Sequence, residues 1–424
     1  MSGVRTILDE LDRDALLRVA HEHMLLGMIV TRSMLPQVVL SGGSLDMLND
    51  VAIDEWMGAS PIYTRRMRDL MGIGGDNVEA IMKALQLDVG FVHQYMDVAY
   101  KVDGDRHGEF WLQHCGALLD IEPHGEERVF GMCHTIEDPT FDATAFATNP
   151  RARIRPIHRP PRTPTDRHPH CHWTIAIDPD NEPVGPAKLT EAVRTLPLAA
   201  VPNAISRAVG DDDLMQDYRQ PLRPSFRLHH LSSGALAAVA REFQMQSHLL
   251  MCSGELALRE RFDQETARQM LVATCVGAGW VASERLAIAL DAAPDAAGLA
   301  RVLALHPMVP PGLERSIAIE GGRVHVELAS SMPGLVNADH PGCPGVLARG
   351  EPAGIEAIVH ALAPRADIAL TVDDDRISID VDVDTDREPV REPDAVAIAK
   401  IGMVASWSFD LGTTTPTADA GTRT

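Results

Sequence analysis

Aromatic rings, basic charge and paired cysteines are all scarce in this chain. Phe, Trp and Tyr make up only 4% of its 424 residues, which leaves few platforms on which bases could stack. Lys plus Arg number 38 against 60 Asp plus Glu, a formal charge of −22. Nucleic-acid binders gain affinity by neutralising phosphates with cations, so the acid balance speaks against a nucleic-acid partner. Six Cys are too few for a disulfide scaffold, and none stands in a C-x-x-C pair. No apolar run approaches the roughly 18 residues of a membrane span, and Met1-Ser2-Gly3-Val4-Arg5 leads straight into an acidic amphipathic stretch without an export signal. The expectation is a soluble, cytoplasmic protein with reduced thiols and no membrane partner.

What is present is a globular composition, 45% hydrophobic and 23% charged, with a core that must be mostly aliphatic and Met. The length suits about two to three domains. Histidine is unevenly spread: eight of the 18 His (107, 114, 124, 134, 158, 168, 170 and 172) and three of the six Cys (115, 133 and 171) fall between residues 107 and 172.

Helical periodicity runs from Asp12 to Leu40 and again from Asp76 to Tyr100, where Val78, Ile81, Met82, Leu85, Val89, Val92 and Met96 recur. Strands follow at Gly108 to Cys115, Arg151 to Ile157 and His170 to Asp178. Between them Asp138-Pro139 reads as an N-cap with proline at the first helical position, and Asn149-Pro150 as the stop.

The second half repeats this order. Val19-Ala20-His21-Glu22-His23 matches Val239-Ala240-Arg241-Glu242-Phe243, and Gly90-Phe91-Val92 matches Gly279-Trp280-Val281. Gly108 to Leu112 matches Gly322 to Val326, and the same offset carries Arg151 to Ile154 onto Arg365 to Ile368. Proline-started helices open at Pro139 and Pro352, and a last strand spans Arg376 to Asp384 after a tight Asp373-Asp374-Asp375 turn. The sequence therefore predicts an α+β fold of two tandem units, each a helical subdomain followed by a small antiparallel sheet with a packed helix. Residues 1–178 form the first unit, 179–230 a Pro-rich linker with an Asp211-Asp212-Asp213 run and a short helix at Lys188 to Leu196, 231–384 a degenerate second unit, and 385–424 an extension expected to be disordered from about residue 412.

Three segments could carry chemistry: His114-Cys115-Gly116, Cys133-His134 with Asp138, and His170-Cys171-His172. Thiols, imidazoles and carboxylates bind Zn or Fe, or supply a nucleophile with its base. Candidate catalytic residues are Cys115, Cys133, His134 and Asp138, and candidate metal ligands are Cys115, Cys133, Cys171, His114, His170 and His172. On a strand, His170 and His172 point one way and Cys171 the other, so all three cannot serve one site. The Cys triad reads equally as buried core, and Asp138 as a helix cap. His158 lies in an Arg- and Pro-rich loop, Arg155 to Arg162, that could hold a substrate carboxylate or phosphate or be exposed surface. At the repeat offset, Cys115 and Cys133 fall on Ala329 and Leu347 and Cys171 near Arg376, with only Cys343 close to an expected place. A triad confined to one unit points to a site in residues 107–178. No P-loop, HExxH or EF-hand pattern occurs, and Gly72-Ile73-Gly74-Gly75 is a helix break.

Over about residues 15–178, Cys115-Gly116, Cys133 with Asp138, Arg153 or Arg155, and Cys171 with Trp173 resemble the motifs of the L-2-amino-thiazoline-4-carboxylic acid hydrolase-like family. The resemblance implies hydrolysis of a carbon–nitrogen bond in a small cyclic amidine-like substrate with cysteine involvement. The duplication, the extra histidines and the Pro/Arg loop depart from that family's pattern and put the substrate in doubt. Two classes stand open: a hydrolase with its site in the first unit, assisted by Zn or Fe if a metal is bound, and a non-enzymatic metal or small-ligand sensor, either of them a possible homodimer.

Overall fold

Polar residues that cap helix starts set the frame, and they come in two matching sets. In the computed structural model, which describes residues 7–205, 213–373, 376–383 and 385–411, the side chain of Asp12 caps α1 (Arg13–Leu40), Ser44 caps α2 (Leu45–Met71) and Asn77 caps α3 (Val78–Leu85), each accepting the N–H three residues on. After these come β1 (Met96–Val102), β2 (His107–Cys115), α4 (Gly116–Ile121), α5 (Glu126–Phe130), a π-turn (Gly131–Ile136), α6 (Glu137–Phe146), β3 (Ala152–His158), β4 (Cys171–Ile177) and α7 (Lys188–Arg194). Ser232, Asp263 and Asp295 then cap α8 (Ser233–Arg259), α9 (Gln264–Leu290) and α10 (Ala296–Leu305). The chain continues through β5 (Leu313–Glu320), β6 (Arg323–Ser330), α11 (Cys343–Ala348), α12 (Ala353–His360), β7 (Asp367–Asp373), β8 (Arg376–Asp382) and α13 (Asp394–Ala399).

The fold is α+β, with two four-stranded antiparallel sheets of identical strand order, β1-β2-β4-β3 and β5-β6-β8-β7. In each, the last hairpin is inserted so that the fourth strand pairs with the second. The few aromatics concentrate where α6 covers the first sheet: Phe110 stacks on Trp173 at 6.3 Å, and Phe141 meets the Trp173 ring edge-on at 4.8 Å.

The units are not independent domains. α1 and α2, neighbours in sequence, touch each other far less than α1 touches α8 and α9 or α2 touches α8. The four long helices build one shared layer, and their contacts reciprocate about a pseudo-two-fold axis: α1 packs on α9 as α8 packs on α2, α6 lies on α2 as α12 lies on α9, and α7 on α2 as α13 on α9. Residues 188–200 are thus a packed part of the bundle and not a loose linker, while the Asp211-Asp212 pair, the Asp374-Asp375 turn and the tail from 412 lie outside the described residues.

Small residues permit the close crossings. A Cβ on Gly58 would come within 2.1 Å of Ser253 Oγ, and one on Gly277 within 2.7 Å of the Ala395 carbonyl. Paired ions lock the same crossings symmetrically. Arg285 binds Glu22 through Nε (2.6 Å) and Nη2 (3.0 Å), and Arg66 binds Glu242 through Nε (2.6 Å) and Nη2 (3.0 Å). Each guanidinium also donates to a short 3-10 turn, Arg66 to the Ala199 carbonyl and Arg285 to that of Ala405.

Three sequence expectations are corrected. The helix expected from Asp76 to Tyr100 ends at Leu85, and Met96 begins β1; the apolar residues between are held by the other unit, where Gln246 accepts the Val89 N–H (3.0 Å) and donates to the Leu87 carbonyl (3.0 Å). The pairing of Gly90 with Gly279 therefore fails, since Gly279 is inside α9. The expected absence of any span-length apolar segment fails too. α1 and α9 are long and apolar enough to cross a membrane by composition, and both are mostly enclosed by protein.

Candidate functional site

Cys115 ends β2 and turns the chain into α4; its Sγ accepts the Leu118 N–H at 3.3 Å, capping the helix, while its own N–H donates to Nδ1 of His170 at 3.1 Å. Cys133 lies in the π-turn. Pro139, which has no N–H to offer the Thr135 carbonyl and crowds it with its ring, follows directly, and the widened turn accommodates that loss inside a continuous helical run. Cys171 opens β4. The fold brings these three thiols together around Glu137, one helical turn beyond Cys133. All three are buried, and burial first, then the Glu137 charge, raises their pKa: Cys115 to about 12, Cys133 and Cys171 well above the ordinary thiol value. Burial likewise pushes Glu137 up to about 8, against the pull of the nearby Arg159.

Thiols held protonated are poor nucleophiles. Among the described residues no three His, Cys, Asp or Glu side chains stand where they could hold a metal ion, so the donor set of Cys115, Cys133, Cys171, His114, His170 and His172 does not fit Zn or Fe. The histidines are dispersed: His172 pairs with Glu109 at 2.9 Å, His170 serves the Cys115 backbone, and His114 stacks on Trp407. His134 is bound to the Pro160 carbonyl at 2.7 Å and stacked on Phe130, so its bonded nitrogen serves no thiol. Asp138 caps nothing, because helix precedes it; it pairs with Arg159 at 2.5 Å. The Pro/Arg loop is no anion site either, since Arg155, Arg159 and Arg162 pair with Asp142, Asp138 and Glu122, and His158 binds the Pro169 carbonyl.

The contrast between the two units also falls. Cys252, Cys275 and Cys343 gather in the second unit, with the Cys275 and Cys343 sulfurs 3.4 Å apart. The sequence offset missed this because these thiols come from α8, α9 and α11, not from the sheet. With all six thiols buried, none is expected to react with Ellman's reagent in the native protein at pH 8 within minutes, and all six to react in guanidinium; rapid native reaction lost in Cys115→Ser would instead mark Cys115 as an exposed nucleophile.

A wide cleft lies elsewhere, about 710 Å³ between α1, α9 and the strap of residues 405–411. Arg18, His21 and Glu22 line it from α1, Arg285 from α9, and Trp407 and Phe409 from the strap. The only side-chain hydrogen bond of Arg18 among the described residues is from Nε to the Ala289 carbonyl, 2.6 Å. His21 donates Nδ1–H to the Leu17 carbonyl (2.8 Å), packs 4.7 Å from Phe409 and is kept neutral, its pKa lowered to about 4 by burial and by the neighbouring His229 and Arg227. Beside it, buried His93 has an unpartnered Nε2 and feels Arg227, His21, His229 and His230.

No family model, curated protein or solved structure matches this chain. Its site is therefore read from its own geometry, and the pseudo-two-fold provides an internal comparison. Across the axis, Arg241 stands in the place of His21 and Asn203 in the place of Phe409. There Arg241 binds Asn203 (3.2 Å) and Asp9 (3.3 Å), and Asn203 binds Glu242 (3.1 Å), so polar side chains knit the position together. The visible signal in the sequence is the His21/Arg241 difference, one of two in the matched segments, the other being His23/Phe243.

Proposed function

We propose that the protein binds a small organic anion with an apolar body in the cleft between α1, α9 and residues 405–411, the non-enzymatic reading of the two open classes. The observation that carries this is the asymmetry: the same helix crossing is knitted together by polar side chains on one side of the axis and left open on the other. A volume of about 710 Å³ falls in the range of ligand sites, roughly 300–1,000 Å³. Glu22 is neutralised by Arg285, and Glu284 engages Trp280 and Lys400, while Arg18 retains donors for a carboxylate or sulfonate. Trp407 and Phe409 supply the apolar wall. The test is titration with 8-anilinonaphthalene-1-sulfonate, an aromatic anion, followed by its fluorescence. Arg18→Gln is expected to weaken binding by about tenfold, in line with the loss of one charge-assisted hydrogen bond, and Phe409→Ala by a similar factor. Affinity unchanged in both variants would sink the proposal.

One observation favours a second reading, hydrolysis of a cyclic amidine-like substrate: Glu137, with its raised pKa, sits among thiols of which Cys115 caps α4. Turnover of 2-amino-thiazoline-4-carboxylate, abolished in Cys115→Ser and Glu137→Gln, would establish it; equal absence of turnover in wild type leaves the binding reading alone.

A further inference from the structure

The second thiol group carries an inference of its own, independent of the cleft. Three sulfur atoms from three separate elements meet inside the second unit: Cys275 Sγ on α9 lies 3.4 Å from Cys343 Sγ at the start of α11, and Cys343 Sγ lies 3.3 Å from Met251 Sδ on α8. All three residues are buried, Met251 completely. A small cavity of about 20 Å³ adjoins the two thiols, lined otherwise by Glu351 and by apolar groups such as Val346, Leu347, Ile355 and Ile358. Such a volume admits about one water-sized particle. Backbone is drawn close to the sulfurs on both sides: a Cβ on Gly354 would meet Cys275 Cβ at 3.2 Å, and one on Gly342, which has φ +79°, would meet Cys252 Sγ at 2.9 Å. Cys252 itself donates to the Pro341 carbonyl at 3.1 Å and stands outside the trio.

We propose that Cys275, Cys343 and Met251 form a binding site for one soft monovalent metal ion, copper(I). The donor set decides the class of ion. Two thiols and a thioether suit a soft d10 cation, which tolerates two or three ligands. Hard cations are disfavoured, because they need several oxygen ligands and give up water reluctantly, and the carboxylate that lines this cavity, Glu351, is paired with Arg268 and Arg349. Zinc would need further His, Cys or carboxylate donors, and none completes such a group among the described residues. Binding is an exchange without electron transfer. The two S–H bonds break, two protons leave to solvent, and two Sγ–metal bonds form, with the Met251 thioether adding its lone pair as a neutral third donor. The sulfurs need only spread slightly from their present separations to surround an ion, and the cavity beside them leaves room to do so.

The experiment uses the full-length protein, reduced, desalted under anaerobic conditions and titrated with copper(I) against a chromophoric chelator, with silver(I) as a redox-inert second probe. One ion per chain is expected by native mass spectrometry, with sulfur-only coordination by X-ray absorption. Cys343→Ser is expected to weaken binding by roughly a hundredfold and Met251→Leu by about tenfold, within the range by which changes around a metal site alter affinity. Cys115→Ser, in the other thiol group, should leave binding unchanged. Because Cys343→Ser could perturb α11, Cys275→Ala on the rigid α9 provides the same test from the opposite side, with circular dichroism as the control for folding. The proposal is overturned by stoichiometry below one in wild type, by oxygen or nitrogen in the coordination shell, by equal affinity in Cys275→Ala, or by a Cys275–Cys343 disulfide, seen as the loss of two hydrogens, forming in place of metal uptake.

Discussion

Residues 1–205 expressed alone are expected to yield no folded monomer, and residues 213–424 likewise. The apolar face of α1 is buried mainly by α8 and α9 of the other half, and α2 is shared between α8 and its own half's α6 and α7, while α1 and α2 cover each other little, so a separated half exposes the faces that the bundle exists to cover. Since whole-domain stability is only about 5–15 kcal/mol, removing that shared layer abolishes cooperative folding. The measurement is urea unfolding of each fragment followed by circular dichroism, with sedimentation to establish mass. Co-expression of the halves is expected to restore a single cooperative transition. Any folded fraction of one half alone should sediment as a dimer, in which a second copy takes the place of the missing half across the two-fold axis. A sharp transition from a monomeric fragment would show that the units are self-sufficient domains.

The second large effect is expected at the paired ions. Glu242, with a side chain only 1% exposed, meets Arg66 at 2.6 Å and also accepts from Asn203. Glu242→Gln leaves the Arg66 guanidinium without its counter-charge next to the bundle interior, at an expected cost of about 3–5 kcal/mol. Arg66→Met combined with Glu242→Leu should lose much less, because removing both charges also removes the need to desolvate them. Urea midpoints of wild type, single and double variants check this. A single-variant loss below about 1 kcal/mol would place the pair among weak surface ion pairs. The same series at Glu22 and Arg285 should behave alike, since the geometry repeats across the axis.

The match between Val19–His23 and Val239–Phe243 contains these two glutamates, and strand alternation and the order of sheet elements are legible because each depends on residues close in sequence. Strands β2, β3 and β4 appear within a residue or two of their expected bounds. The failures share a cause. The helix expected through Tyr100 stops at Leu85 because Gln246, distant in sequence, takes the backbone groups of Leu87 and Val89. Asp138 reads as a cap only if helix does not precede it, and the helical run that does precede it, through the π-turn, is held against α2, where a Cβ on Gly131 would lie 2.8 Å from Asn49. The histidine surplus of residues 107–172 does not build a site with the thiols of its unit, because His134, His158, His170 and His172 are spent on backbone carbonyls, a backbone N–H group and Glu109.

By itself the sequence determined the α+β class, the twofold order of sheet elements and the starts of α1, α7 and α12, since periodicity and turn chemistry act over a few residues. Only the tertiary structure decided that the two units share one helical layer, that both have a thiol group, and that the open cleft lies between α1, α9 and the C-terminal strap. Those outcomes depend on which apolar face finds which partner. Contacts between residues more than two hundred positions apart leave no periodic trace in either segment.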